Sequence, residues 1–257
     1  MLQLQHVNKV YQSGTPNSSV LFNDFNLEVE SGQFVSVVGS NGSGKTSMLN
    51  LICGSISLDS GRVLLDGKDI SHLAENRRAR WIGRVFQDPA RGTCPHLSIT
   101  ENLAIAENKF KPFNFRRLLD RECHSRYQAL LEPLGMGLEK RMDQPCGTLS
   151  GGQRQALALL MTALNPPDLL ILDEHTAALD PKSSERIMQL TAEIVEQHHL
   201  TTLMVTHNLR FALNYGNRLL MMHEGTIIRD NAAEEKQQLQ LDTLLNQFNQ
   251  ISIEYGN

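Results

Sequence analysis

Eight residues, GSNGSGKT from Gly39 to Thr46, constrain the fold more than any other stretch of the chain. They lie between a short apolar run, QFVSVVG, and a segment with helical spacing, KTSMLNLICG, which stops at Gly54 as a C-cap. A buried strand that turns over glycines directly into a helix makes backbone N–H groups converge on an anion. The start of the following helix adds positive potential. The pattern G-x-x-x-x-G-K-[ST] assigns Lys45 to the β- and γ-phosphates of a nucleoside triphosphate and the Thr46 hydroxyl to Mg²⁺. Ser40, Asn41, Gly42, Ser43, Gly44 and Ser47 complete the expected cradle. The competing reading is a plain glycine-rich turn, which the full motif in this context outweighs.

Composition narrows the setting. A chain of 257 residues can bury a full core, as one large domain or as a domain with an inserted subdomain. With 24 Lys+Arg against 28 Asp+Glu, the net charge of −4 is the wrong sign for binding nucleic acid by phosphate neutralisation alone. The opening MLQLQHVNKVYQ has no apolar core like that of a signal peptide, and no 18 apolar residues run together. Cys53, Cys94, Cys123 and Cys146 are scattered without a C-x-x-C pair and read as reduced packing cysteines. A soluble intracellular protein is expected.

The periodicities give the organisation. LQLQHVNKV and FNLEVES alternate with period two, and GRVLLDG and WIGRVFQD read as further strands. From Pro89 to Leu164 the pattern is helical: SITENLAIAENKF, RRLLDRECHSRYQALLEPLG and GQRQALALLMTAL. Strand and helix then alternate again, and RLLMMHEGTIIRD reads as a hairpin turning at Glu224-Gly225. The expected fold is α/β, a largely parallel sheet with an antiparallel N-terminal β part and an inserted α-helical subdomain. Residues 1–88 and 165–235 form the expected nucleotide-binding core, 89–164 the helical subdomain and 236–257 a helical tail. In such sheets the chemistry collects past the carboxyl ends of the strands.

Three further groups sit at strand or helix ends. In DLLILDEHTAALDP, four apolar residues, Leu169 to Leu172, run into Asp173 and Glu174, a costly place for two carboxylates unless they are compensated. An acid at the end of a second buried strand holds Mg²⁺ beside a loop like Gly39–Thr46, and Asp173 fits. Glu174 is placed to polarise a water as general base. The alternative is a helix N-cap cluster, but Asp180 followed by Pro181 is the better cap. In LSGGQ, Ser150 and Gln153 read as a capping box, yet Gly151 and Gly152 weaken a first turn while exposing bare N–H groups to an outside phosphate. His207 follows the apolar run LTTLMVT, where an imidazole can donate to a γ-phosphate as charge shifts; the bland reading is a surface or satisfied core histidine.

The order of Gly39–Thr46, Gln87 in VFQD, LSGGQ, LLILDE, AALD and His207 resembles the nucleotide-binding subunit of an ABC (ATP-binding cassette) transporter, across essentially the whole chain. The resemblance implies a P-loop NTPase core that hydrolyses ATP with Mg²⁺. By that likeness Gln87 reaches the metal and water, and Ser150, Gly151, Gly152 and Gln153 meet the nucleotide of a partner protomer. Asp180 belongs to the loop crossing the dimer interface, His207 is the switch histidine, and Tyr11 stacks on adenine unless it is only a half-buried strand tyrosine. It further implies a head-to-tail homodimer with ATP, integral membrane permease subunits, an extracytoplasmic substrate-binding protein, no nucleic acid, and a peripheral place on the cytoplasmic face of the membrane.

Two departures stand out: His175 where many cassettes have proline, and AALD for a serine-initial form. The run DEHTAALDP, with MVTHN and NRLLMMHEG, is similar to bacterial importer cassettes associated with aromatic amino acid uptake. An exporter subunit, a nontransport ATPase of the same family acting on DNA or ribosomes, and a regulator without turnover remain the alternatives. The basic runs at Arg77, Arg78 and Arg80 and at Arg116, Arg117 and Arg121 read as solvated faces.

Overall fold

Alternating strands occupy the start of the chain because one face of each is apolar. In the computed structural model, which describes residues 1–12, 14, 18–111 and 122–254, β1 (Leu2–Tyr11) pairs antiparallel with β2 (Ser19–Val29). The continuous apolar run follows as β3 (Phe34–Gly39), all six residues buried, and α1 (Lys45–Cys53) leaves it. Next come β4 (Ser60–Leu65), β5 (Lys68–Asp69), α2 (Glu75–Arg78) and β6 (Ile82–Val85). The helices α3 (Ile99–Glu107), α4 (Cys123–Leu131) and α5 (Gly151–Ala163) lead to β7 (Leu169–Asp173) and α6 (Pro181–His198). The chain then runs through β8 (Thr201–Val205), α7 (Leu209–Asn214), β9 (Arg218–His223), β10 (Thr226–Asn231), α8 (Ala233–Gln237) and α9 (Leu241–Glu254).

Two compact units result. The first comprises residues 1–82, 168–174 and 199–257; the second comprises 83–167 and 175–198. The chain therefore crosses from one unit to the other at the Glu174–His175 peptide bond.

The first unit has two sheets. One is antiparallel, in the order β2-β1-β4-β5. The other runs β10-β9-β3-β8-β7, with β3 parallel to both β8 and β9 and β7 parallel to β8. Strand alternation sends Val35 and Val37 into the core that holds Leu4, Phe22, Met48, Leu49 and Ile52, whereas Val38 joins Ala212, Leu219 and Leu244 on the opposite face. β9 and β10 form the expected hairpin, turning at Glu224 and Gly225, which adopt φ of 42° and 73°. Two successive positive φ values match the right-handed twist of the flanking strands.

The second unit packs α3 against α4 and α5, and α5 against α6. Ser98 and Glu101 form a capping box at α3, and the buried Tyr127 of α4 donates to Glu107 at 2.5 Å. The helix read over RRLLDRECHSRYQALLEPLG is described only from residue 122; α4 ends at Leu131 and a 3₁₀ turn at Glu132–Leu134 replaces its last part, as Pro133 requires. Arg116, Arg117 and Arg121 lie outside the described residues. Among the described residues no helix is long and apolar enough to cross a membrane.

Candidate functional site

The loop after β3 is built to hold an anion. Gly44 caps α1 with φ of 99° and no side chain caps that end, which leaves the first-turn N–H groups to an outside acceptor. Lys45 is 5% exposed, and its Nζ folds back on Gly39 O at 2.7 Å, Ser40 O at 2.8 Å and Ser43 Oγ at 3.3 Å. Burial pushes the ammonium below its ordinary pKa, and the Glu174 charge opposes that shift. Asn41, Gly42 and Thr46 are exposed at the mouth, while Ser40 and Ser47 are half-buried.

The hairpin tip supports this loop from behind. The Gly225 N–H donates to Ser43 O at 3.0 Å. A Cβ on Gly225 would lie 1.7 Å from Leu21 O, so only glycine permits the approach. The turn is legible in the sequence, but its bond to Ser43 is made only by the fold.

The acids stand where the strand registers put them. Asp173 is level with Val205, which is level with Val37, two residues before Gly39. Glu174 follows with φ of 47°, a left-handed conformation uncommon for a non-glycine residue, and its N–H continues the ladder to Val205 O at 2.9 Å. Its Oε1 lies 2.7 Å from His207 Nε2. The first unit thus brings Glu174 and His207 into direct contact at the carboxyl ends of β7 and β8. A carboxylate only accepts, so Nε2 carries the proton in this pair. Tyr11, at the end of β1, is 40% exposed, with Lys9 Nζ 5.8 Å from its ring centroid.

The second unit carries the remaining residues. Ser150 caps α5 in a complete capping box: its Oγ accepts from Gln153 N at 3.3 Å, and Gln153 Oε1 accepts from Ser150 N at 3.1 Å. Gly151 is exposed, whereas Gly152 is buried, and a Cβ there would meet Ser183 Oγ at 3.0 Å. The second glycine therefore also serves packing against α6. Asp180 caps α6 by accepting from Ser183 N at 3.0 Å, and the Ser183 hydroxyl and N–H hold its carboxyl below the usual range. Gln87 is exposed, and the neighbouring Phe86 carbonyl accepts from the fully buried Gln155 of α5 at 3.1 Å. The helix that begins at Ser150 thus anchors the loop containing Gln87.

One expectation is overturned. Arg78 is not on a solvated face but 2% exposed. Its guanidinium donates to Leu51 O (2.7 Å), Ile52 O (2.9 Å), Leu73 O (2.8 Å) and Ser71 O (2.8 Å). Leu51 and Ile52 are in the last turn of α1, whose carbonyls have no partner within the helix. A planar fork of five donors is suited to that gap, and its charge complements the negative end of the helix. A run of arginines in sequence does not reveal a set of carbonyls that only the fold assembles.

A glycine loop between strand and helix, two acids at the end of one parallel strand with a histidine at the end of its neighbour, and a separate helical unit define a nucleoside triphosphatase with an ATP-binding cassette architecture. The chain belongs to the ABC transporter family, whose model matches residues 22–177. It is 44% identical over 248 residues to the tyrosine transport ATP-binding protein of Clostridioides difficile (strain R20291), covering 96% of this chain and 98% of that one. It is 34% identical to the spermidine/putrescine import ATP-binding protein PotA of Haemophilus influenzae (strain ATCC 51907 / DSM 11121 / KW20 / Rd), covering 91% of this chain but only 59% of that longer one. Among solved structures it is similar to the dimeric post-hydrolysis state of an ATP-binding cassette bound to ADP and Pi. That match has a TM-score of 0.74, 30% identity and coverage of 91% of this chain and 99% of that one. The protein is an ATPase, the ATP-binding subunit of a transporter.

Proposed function

We propose that the chain hydrolyses ATP to drive import of a small hydrophobic solute, an aromatic amino acid such as tyrosine or tryptophan, through separate integral membrane permease subunits. The observation that carries hydrolysis is the Glu174–His207 pair at 2.7 Å, level with the Lys45 loop. The 44% identity to a tyrosine transport ATP-binding protein supports the cargo. In this reading the N–H groups of Gly39–Ser47 and the Lys45 ammonium bind phosphates, and Tyr11 stacks on adenine. Thr46 and Asp173 offer a hydroxyl and a carboxylate, hard oxygen donors that fit Mg²⁺, and Gln87 is a further ligand. The ion, when bound, neutralises charge on the β- and γ-phosphates. Glu174 accepts the proton of the attacking water. The His207 Nε2–H, which orients that carboxylate before nucleotide binds, is shared with the γ-phosphate once nucleotide is bound.

Ser150, Gly151, Gly152 and Gln153 contact nucleotide held by a second copy in a head-to-tail dimer, with Asp180 at the interface. Residues 1–88 and 165–235 serve as nucleotide-binding core, 89–164 as the helical subdomain that meets the permease, and 236–257 as a helical tail. The chain works at the cytoplasmic face of the membrane, with an extracytoplasmic binding protein delivering the solute. Deleting the chain lowers uptake of labelled tyrosine or tryptophan at limiting external concentration, and Glu174→Gln reproduces the defect. Unchanged uptake with reduced efflux of another compound would replace import by export.

A further inference from the structure

Glu174 is held from one side by Val205 and His207, but its position also depends on the residue that follows it. His175 is 2% exposed, and its Nε2 lies 3.1 Å from Thr191 Oγ1 in the middle of α6. Thr191 is fully buried, and its hydroxyl donates its one proton to Ile187 O at 2.7 Å. The Thr191 oxygen must therefore accept from His175, which places a proton on Nε2. Burial favours the neutral ring, pushing its pKa down to about 4. The next residues are tied to the same helix: Ser184 Oγ donates to Thr176 O at 3.1 Å.

We propose that His175 is a positioning residue, which through its bond to Thr191 fixes the peptide after Glu174 to α6 and so sets where the Glu174 carboxylate stands. Glu174 has φ of 47°, so its side chain direction rests on the surroundings rather than on an intrinsic backbone preference. The peptide linking Glu174 to His175 is also where the chain passes between the two compact units. The bond from His175 to Thr191 lies within the second unit and fixes the backbone directly after Glu174. Proline would fix the same point through its ring, which locks φ, whereas histidine fixes it through a side-chain hydrogen bond that loss of the Thr191 hydroxyl removes.

The proposal rests on Glu174 being the general base, so Glu174→Gln is measured alongside. ATP hydrolysis by the full chain is compared for Thr191→Val, His175→Leu, His175→Gln and the Thr191→Val/His175→Leu double variant. Thr191→Val should lower kcat roughly tenfold, within the 10²-fold that a 1 Å misplacement can cost, with KM for ATP changed less than about twofold. His175→Leu should match it, and the double variant should be no worse than either single one, since both remove the same bond. His175→Gln, whose amide nitrogen reaches about where Nε2 stands, should keep most of the wild-type kcat. A wild-type kcat for Thr191→Val while Glu174→Gln is inactive overturns the positioning role and leaves the base intact. Loss of activity that tracks only the fall in Tm, with no rescue by His175→Gln, overturns it as well. Normal hydrolysis by Glu174→Gln overturns the base reading itself.

Discussion

His207 Nε2 donates to Glu174 Oε1 across 2.7 Å, and that bond joins the carboxyl ends of two adjacent parallel strands, β8 and β7. A base held in one orientation before its water arrives avoids part of the ordering that the transition state otherwise requires. His207→Ala should therefore lower kcat about 10²-fold, the lower end of what a positioned acid–base group contributes. The loss in Glu174→Gln/His207→Ala should be far smaller than the product of the single losses, because the two act as a unit. Steady-state hydrolysis across the four proteins measures it; multiplicative losses would show independent roles.

Arg78 tests a structural claim with a functional consequence. Arg78→Met takes a donor from the Leu51, Ile52, Leu73 and Ser71 carbonyls, of which Leu51 O keeps the Gly54 N–H. Each buried acceptor left unsatisfied costs about 1–3 kcal/mol. At ~2–4 °C per kcal/mol for a chain of this size, Tm should fall by about 10 °C. Arg78→Lys should recover only part, since one ammonium cannot span carbonyls from Leu51 to Ser71. Thermal denaturation with and without ATP reads both effects; an unchanged Tm for Arg78→Met would remove the cap from the account.

The difference between Arg78 and the glycine loop shows what the sequence could reveal. Gly39–Thr46, the run into Asp173 and the Glu224-Gly225 turn are local: strand period, turn chemistry and motif spacing all fall within a dozen residues, so they were readable. Arg78, Gln155 and Gly225 act on atoms far along the chain, at Leu51, Phe86 and Ser43. Nothing in the residues around them marks those partners, because backbone carbonyls are the same at every position. The packing of α6 on α5 is invisible locally for the same reason, since α6 follows a strand in sequence.

Gly225 gives the loop's rear support its own test. Gly225→Ala must move the turn away from Leu21 O and so lengthen or break the bond to Ser43 O. Its φ of 73° adds strain of roughly 1 kcal/mol for any residue with a Cβ. ATP affinity should weaken about fivefold to tenfold, the equivalent of 1–1.4 kcal/mol. Glu224→Gly, which relieves the positive φ beside it, should leave ATP affinity as in the wild type. Nucleotide titration of the three proteins decides, and equal affinities would show that the hairpin does not shape the loop.

The split between the two units makes the dimer testable without a structure of it. Lys45 belongs to the first unit and Ser150 to the second, and the proposed head-to-tail arrangement joins Lys45 of one copy with Ser150 of the other. Lys45→Ala and Ser150→Arg should each abolish hydrolysis alone, since every site then carries one lesion. In a mixed dimer both lesions fall in the same composite site and the other site is intact. Random mixing of equal amounts makes about half the dimers mixed, each with one of its two sites working, so roughly a quarter of the wild-type rate should return. The recovered rate should rise with total protein concentration, because it requires association. Mixtures as inactive as their components would mean either that both sites must work together or that the copies do not associate, and sedimentation with ATP separates these. Full activity of the wild-type chain at dilutions where it sediments as a monomer would end the composite-site reading.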